Sequence, residues 1–210
     1  MTNQAARPSY PERGNRSTRA LYEAIGRALT TWEEFEIRLA ELYAALSEKS
    51  KFDETACRRY GAKLNFKERL TEVERAGRRY FVKRPHQERE GELASIIKSG
   101  RSCAERRNDV AHGTVQDFHT TRNPDRSALS TTGLPEWCLV PQRFRADAFT
   151  SGDTPKYVLT SRELNQTSKQ LWPLINRAYL LADAVELPIH ASRRKSVRPP
   201  FPPLPARSLW

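Results

Sequence analysis

The chain has 210 residues, of which 29% are charged and 38% hydrophobic, and its formal net charge is +11. That length suits one domain with a proper hydrophobic core. No apolar run approaches the length of a transmembrane helix, and the N-terminus lacks the apolar core of a signal peptide, so we expect no membrane association.

The chemistry-bearing residue types exclude several classes of site. Cys57, Cys103 and Cys138 form an odd, widely spaced set without a paired ligand motif, and the four histidines are scattered. We therefore expect no metal and no cofactor, and reduced thiols in the cytoplasm. No phosphate-cradling glycine loop and no serine nucleophile motif is present.

The positive charge is concentrated at the two ends. Residues 1–16 are rich in Pro, Arg, Asn and Ser, and residues 189–210 form a basic, proline-rich tail; both are predicted to be disordered. Between them, residues 17–188 are predicted to form one helical domain. The basic ends raise nonspecific affinity for a polyanion, or they serve only to keep the chain in solution.

The first two helices follow from apolar periodicity and a cap. A helix is predicted over residues 18–47, where apolar side chains recur every three or four positions. Its stripe comprises Leu21, Ile25, Leu29, Trp32, Phe35, Leu39, Leu42, Tyr43 and Leu46. Trp32 and Phe35 are expected as core anchors rather than as stacking platforms for bases. Asp53 suits the N-cap of a short helix over residues 54–60.

A third helix is predicted over residues 64–80, and a basic cluster follows at its end. The cluster consists of Arg78, Arg79 and Lys83. Such cations usually match the negative end of the helix dipole in solvent; a contact with an RNA backbone is our second interpretation. The fourth helix is predicted to start at Pro85, which suits a first helical position, and to run to His112.

An irregular insertion over residues 114–159 interrupts the helical pattern with proline and glycine. Residues 137–140 and 157–160 are predicted to form two short strands, as a small hairpin over the fourth helix. Five basic side chains of the insertion are second-rank candidates for phosphate contact. These are His119, Arg122, Arg126, Arg143 and Arg145.

The last helix is predicted to start with a capping box, in which the side chains of Thr160 and Glu163 each accept a hydrogen bond from the other residue's free backbone N–H. Pro173 is expected to kink this helix and Pro188 to end it. The fold predicted from the whole pattern is an all-α bundle of four or five helices with a long insertion.

The fourth helix carries the strongest functional signal, an arginine inside its apolar stripe. At about 100° per residue, one face gathers Leu93, Ile96, Ile97, Gly100, Cys103, Ala104, Val110 and Ala111, and Arg107 falls in its middle. A guanidinium there must be paired, interfacial or available to an anion. Glu105, or an acid on another helix, is a possible partner that would make Arg107 purely structural.

Asn108 and His112 are four residues apart, so they lie on one face of this helix beside Arg107. Gly113 is a natural C′ residue, which places His112 in the last turn. The negative end of the helix dipole favours an imidazolium there. A fixed cation, an amide and a proton carrier thus occupy one and a half turns.

The stretch from Arg107 through Asn108 to His112, followed by Gly113, resembles the signature of the HEPN superfamily of small all-α proteins. That signature is an arginine, a polar follower and a histidine four to six residues further on. A looser resemblance in helical layout covers roughly residues 18–187. It implies an HEPN-like bundle and a metal-independent endoribonuclease, found in bacterial toxin–antitoxin and antiviral defence systems.

The resemblance also implies roles and partners. Arg107 and Asn108 would bind the phosphate and orient His112, which would transfer protons during attack by the ribose 2′-OH. RNA would be the substrate, a homodimer would supply a composite site, and an antitoxin or defence protein would be a partner. The alternative is a noncatalytic HEPN-like module that binds RNA, a nucleotide or a protein. Thr114 stands where one toxin group carries a modifiable tyrosine, so that regulation is not expected here.

Overall fold

The computed structural model describes residues 10–122, 135–142, 146–150 and 154–190. The described part is mostly helical, as predicted, with one two-stranded sheet. In chain order its elements are α1 (Thr18–Leu46), α2 (Glu54–Gly61), α3 (Phe66–Lys83), α4 (Gln87–His112), β1 (Thr114–Asp117), α5 (Phe118–Arg122), β2 (Trp137–Val140) and α6 (Ser161–His190), with a short 3-10 turn at Ala146–Ala148. The all-α fold class with a small hairpin is therefore confirmed.

The helix starts agree with the capping chemistry of the sequence. The Asp53 side chain accepts the Ala56 amide and starts α2, and the Asn65 side chain accepts the Glu68 amide and starts α3. α4 begins at Gln87, two residues after the predicted start. The predicted end of the last helix at Pro188 is wrong, because α6 is one continuous helix that passes through Pro173 and Pro188 and ends at His190.

The long helices form a bundle in which α1 and α6 run in the same direction. Arg27 of α1 donates to Asn165 of α6 at 2.7 Å, and further along both helices the Arg38 guanidinium lies 5.3 Å from the Tyr179 ring. α3 also runs in the same direction as α1. Glu36 of α1 pairs with Arg69 near the start of α3, and Glu48, just after α1, pairs with Lys83 at the end of α3.

α4 runs antiparallel to α1, α3 and α6. Gly77 of α3 lies against Leu93 near the start of α4, whereas Phe66 at the start of α3 lies against Gly100. A Cβ on Gly77 would overlap the Leu93 side chain, so the glycine permits this close approach. Because α3 begins level with Gly100, the last three turns of α4 extend beyond it.

Three hydrophobic clusters form in the described residues, and the two larger ones fill the bundle. The main core contains Trp32 and Phe35, both at most 1% exposed, and their rings meet Phe66 edge-on or tilted, which confirms them as core anchors. The hairpin core lies between the first half of α1, the end of α4, β2 and the start of α6. It comprises Leu21, Ala24, Ala28, Val110, Leu139, Ala148, Tyr157, Leu159 and Leu164.

The hairpin differs from the prediction in its partner strand. β2 forms as expected, but it pairs antiparallel with β1, from Thr114 opposite Val140 to Asp117 opposite Trp137. The predicted strand over residues 157–160 contributes one bridge, in which Leu159 and Leu139 exchange backbone hydrogen bonds of 2.8 and 2.9 Å. It extends no further because the Thr160 amide donates to Glu163 at 2.8 Å, in the predicted capping box.

The end of the N-terminal arm also differs from the expectation of disorder. Asn15 and Trp137 exchange two backbone hydrogen bonds of 2.7 Å, which adds a bridge to the edge of β2. The Asn15 side chain accepts the Ser161 amide at 2.8 Å and so caps α6. Most of residues 1–16, and residues 191–210 of the predicted tail, lie outside the described residues. Among the described residues, no helix has the length and apolar composition needed to cross a bilayer.

Candidate functional site at the end of α4

The motif residues occupy the last turns of α4, and the helix ends at His112 as predicted. Gly113 does not adopt the left-handed conformation expected of a C′ glycine, because its φ and ψ are −74° and 159°. Its value is steric instead. A Cβ on Gly113 would lie 2.7 Å from the Asp109 carbonyl oxygen and 2.8 Å from Leu139 Cγ. The glycine therefore lets β1 leave the helix in close contact with β2.

The buried arginine of α4 is Arg106, one residue before the one that the stripe predicted. Arg106 is 7% exposed, whereas Arg107 is half-buried and Ala111 is exposed. The prediction assumed one straight stripe along the helix. Burial instead turns around α4 where α3 ends, because the last turns pack against the hairpin core through Val110. Positions 106, 109 and 110 face inward there.

Arg106 is held by a buried ion pair. Its Nη1 donates to Asp109 Oδ2 at 2.9 Å, and the two side chains are 8% and 1% exposed. The guanidinium carbon lies 5.4 Å from the centre of the Tyr157 ring, which is itself buried. This pair joins α4 to the segment that leads into α6. Sequence reasoning missed it, although an Arg and an Asp three residues apart on a helix are a recognisable pairing signal.

Arg107 has no acidic partner in the described part of the chain. Its Nη1 makes a long contact of 3.4 Å with Asn108 Oδ1, and its Nε is shielded from solvent without a hydrogen-bond acceptor among the described residues. Glu105 is exposed and forms no ion pair with it within those residues. The structural alternative, in which an acid neutralises Arg107, is therefore not seen in the described residues.

Asn108 and His112 are both exposed and lie on the same face of α4, as their spacing predicts. Arg107 and His112 are five residues apart and so lie about 140° apart around the helix axis. Asn108 lies between them and contacts the arginine. Among the described residues of one chain, the three side chains thus form an open arc rather than a closed pocket.

Other reactive groups near this end of α4 are poor nucleophiles. Burial raises the pKa of the Cys103 thiol to about 11, and burial is also the main cause that raises the pKa of the Cys138 thiol to about 12. Both therefore stay protonated near neutral pH. Within the described ranges, no group of three or more His, Cys, Asp or Glu side chains is arranged to hold a metal ion.

The second-rank candidates are only partly placed by the structure. His119 is exposed on α5, where its ring meets Phe118 edge-on at 5.8 Å. Arg122 is the last residue of α5. Arg126, Arg143 and Arg145 lie outside the described residues. Of these five candidates, His119 is therefore the one whose side chain lies in the described part of the chain.

Comparisons with protein-family models, with curated proteins and with solved structures give no match for this chain. The HEPN resemblance therefore depends on the motif in the last turns of α4 and on the helical layout.

Proposed function

We propose that this protein is a metal-independent endoribonuclease of HEPN type, with Arg107, Asn108 and His112 as its catalytic residues. The observation that carries the proposal is the charge of Arg107. This guanidinium has no carboxylate partner in the described residues and lies beside an exposed amide and an exposed imidazole. A cation that is half-buried and unpaired is suited to an anionic ligand.

The proposed reaction uses each side chain for one task. An imidazole of His112 takes the proton from a ribose 2′-OH, whose oxygen attacks the adjacent phosphorus. The planar guanidinium of Arg107 stabilises the extra negative charge on the phosphorane, and Asn108 donates to a phosphate oxygen or orients the imidazole. The bond from phosphorus to the 5′-oxygen breaks, and that oxygen gains a proton from an imidazolium. The products carry a 2′,3′-cyclic phosphate and a 5′-hydroxyl.

A homodimer supplies the second imidazole that the proposed reaction needs. One imidazole does not readily act as base and acid in the same step, whereas a two-fold dimer provides two. The last turns of α4 extend beyond α3 and present Arg107 and Ala111 at the surface, which leaves room for the same helix of a second copy. We place this dimer in the bacterial cytoplasm, in a toxin–antitoxin or antiviral defence system, with an antitoxin or defence protein as partner.

A noncatalytic binding module is the second candidate function. The open arc formed by Arg107, Asn108 and His112 supports it, because the described part of one chain does not close these residues into a pocket. In that case the unpaired guanidinium would hold a phosphate or carboxylate without cleavage.

The test is RNA cleavage in the presence of EDTA. Purified protein is incubated with structured and single-stranded RNAs, and the products are analysed for cyclic phosphate ends. Arg107→Ala and His112→Ala should each reduce the cleavage rate at least about 100-fold, the usual scale of a lost acid–base or charge-stabilising group. His86→Ala and Arg58→Ala are matched controls, since both side chains are exposed and lie outside the motif.

The controls should retain the wild-type rate, and all four variants should keep the wild-type circular dichroism. Equal cleavage by wild type and both motif variants would identify a contaminating nuclease and refute the proposal. RNA binding that depends on Arg107 without any cleavage would favour the binding module instead.

A further inference from the structure

A second basic site lies at the opposite end of the bundle from the motif. A cleft of about 600 Å³ opens between the end of α1, α2 and the second half of α3. Four of its lining residues are cations, namely Arg59, Arg78, Arg79 and Lys83, whereas Glu48 is its one acidic lining residue within the described chain. The cleft thus has a strong positive excess.

Part of that charge is neutralised, and part is not. The Glu48 carboxylate accepts hydrogen bonds from Lys83 and Arg84, both at 3.0 Å, and these two bonds hold the pKa of Glu48 below its usual value. Arg78 pairs with Glu74 at 2.7 Å. The two remaining cations differ from these in that no described acidic group pairs with them.

Those two cations are Arg59 on α2 and Arg79 on α3, and both side chains are exposed. The Ser47 hydroxyl lines the same cleft, is shielded from solvent and has no hydrogen-bond partner among the described residues. The Ser47 hydroxyl is thus not part of the accessible surface, whereas the two exposed guanidinium groups, which pair with no described acid, form a surface suited to phosphate oxygens.

The lining also indicates which phosphate ligand fits. Tyr43 and Tyr80 line the cleft, but they are only 4% and 2% exposed, and the Tyr80 hydroxyl already donates to the Val185 carbonyl at 2.8 Å. Neither ring is therefore available to stack on a base. Contacts to phosphates without contacts to bases are typical of backbone binding.

The cleft is far from the motif. The end of α3 lies level with the start of α4, since Gly77 lies against Leu93. From Leu93 to Arg107 the helix rises about 20 Å, at about 1.5 Å per residue. A mono- or dinucleotide therefore cannot occupy both places, whereas a longer RNA can.

We propose that the cleft lined by Arg59 and Arg79 binds the phosphate backbone of RNA at a distance from the motif. RNA as the ligand depends on the proposed function, whereas a site for phosphate oxygens follows from the cleft itself. The cleft would hold a long RNA while another part of the same molecule reaches the end of α4.

The test compares two double variants with the same change in net charge. Arg59→Ala with Arg79→Ala removes the unpaired cations of the cleft. Arg58→Ala with Arg75→Ala is the matched control, because both arginines lie outside the cleft lining, are exposed, and pair with an acid on their own helix at 2.6 Å.

Binding is measured by fluorescence anisotropy with a labelled 2′-O-methyl RNA of about 20 nucleotides, over a series of salt concentrations. This probe lacks the 2′-OH that the proposed cleavage requires, so binding is read independently of cleavage. The cleft variant should bind about tenfold more weakly near 0.1 M salt, and its salt slope should fall by about 1.4, or about 0.7 per lost phosphate contact. The control should change affinity less than about threefold.

Equal losses in the two double variants would mean that binding follows net charge alone, and the proposal would fail. No loss in either variant would also overturn it. ATP and tripolyphosphate are tested as competitors and as direct ligands. A small phosphate that binds through Arg59 and Arg79 while the RNA does not would assign the cleft to a free anion and refute the RNA-backbone proposal.

The two proposals fail in different ways. If the cleft variant binds the 2′-O-methyl probe more weakly but the wild type cleaves no RNA, the cleft proposal stands and the nuclease proposal is refuted. If cleavage depends on His112 but the probe binds equally well with and without Arg59 and Arg79, the nuclease proposal stands and the cleft proposal is refuted.

Discussion

Arg106 and Arg107 are neighbours in the sequence, yet the last turns of α4 give their guanidinium groups opposite surroundings. Arg106 is buried and donates to Asp109 at 2.9 Å, and its charge is neutralised there. Arg107 is half-buried without an acidic partner in the described residues. The first arginine therefore anchors the helix end to the hairpin core, and the second is the cation that we propose binds the phosphate.

The first prediction concerns the stability contributed by that anchor. Asp109→Asn should lower the free energy of unfolding by about 3 kcal/mol, because it removes the carboxylate charge beside the buried Arg106 guanidinium. Arg106→Met should have a similar cost, because it removes the guanidinium charge beside the buried Asp109 carboxylate. Urea denaturation at pH 7 measures both. The combined variant Arg106→Met with Asp109→Leu should be more stable than either single variant, since it removes both charges.

Arg107→Ala is the matched control for that prediction. It should change the free energy of unfolding by less than about 1 kcal/mol, as is usual outside buried networks. A loss as large as that of Asp109→Asn would mean that Arg107 is structural, and it would weaken the proposed function at the same time.

The second prediction uses the two glycines at the ends of α4. Gly113→Ala should destabilise the protein by about 1–3 kcal/mol, because its Cβ would meet the Asp109 carbonyl and the Leu139 side chain at under 3 Å. Gly91→Ala is the control, since a Cβ there meets no atom within 4 Å. It lies in an exposed part of the helix and should stabilise the protein by about 0.5–1 kcal/mol. Equal melting temperatures for the two variants would contradict the close packing of Gly113.

The third prediction is a pH dependence of stability. Arg177 of α6 donates to both carboxylate oxygens of Glu92 on α4, at 2.6 and 2.9 Å, and these hydrogen bonds hold the pKa of Glu92 below its usual value. The pair therefore stabilises the fold above the ordinary carboxylate pKa near 4.3, and this contribution is lost as the pH falls through the lower folded value.

Glu92→Gln should accordingly be less stable than wild type at pH 7, and the difference should shrink towards pH 3. The side chains are 35% and 37% exposed, so solvent screening limits the difference to less than about 1 kcal/mol. Urea denaturation at pH 7, 5 and 3 measures it. Glu54→Gln removes an exposed pair within α2 and should show a smaller difference at every pH; a constant deficit for Glu92→Gln would contradict the ion-pair explanation.

The fourth prediction concerns the shared site. Light scattering should report a dimer at assay concentrations. Differently tagged Arg107→Ala and His112→Ala chains, when co-expressed, should form a mixed dimer that cleaves RNA faster than either variant homodimer and more slowly than wild type. The reason is that the mixed dimer retains one arginine and one histidine. A monomer with full activity would contradict the shared site.

Much of the secondary structure was predictable from local chemistry. The caps at Asp53 and Thr160 and the apolar repeat of α1 depend on residues only a few positions apart. The local sequence is therefore enough to predict them. Trp32 and Phe35 were predictable as core residues for the same reason. The end of α4 at His112 followed from Gly113, although the glycine acts through close packing and not through a left-handed turn.

The partner of β2 and the buried arginine of α4 were decided only by tertiary structure. Thr114 starts β1 because Gly113 directs the chain against Leu139, a contact between residues far apart in sequence. Periodicity extrapolated one apolar stripe along α4 and placed Arg107 inside it. Burial depends on which element faces each turn, and that element changes from α3 to the hairpin core near Gly100. The sequence by itself thus determined a helix that carries Arg107, Asn108 and His112, whereas the packing of the bundle decided that Arg106 pairs with Asp109 and that no described acid pairs with Arg107.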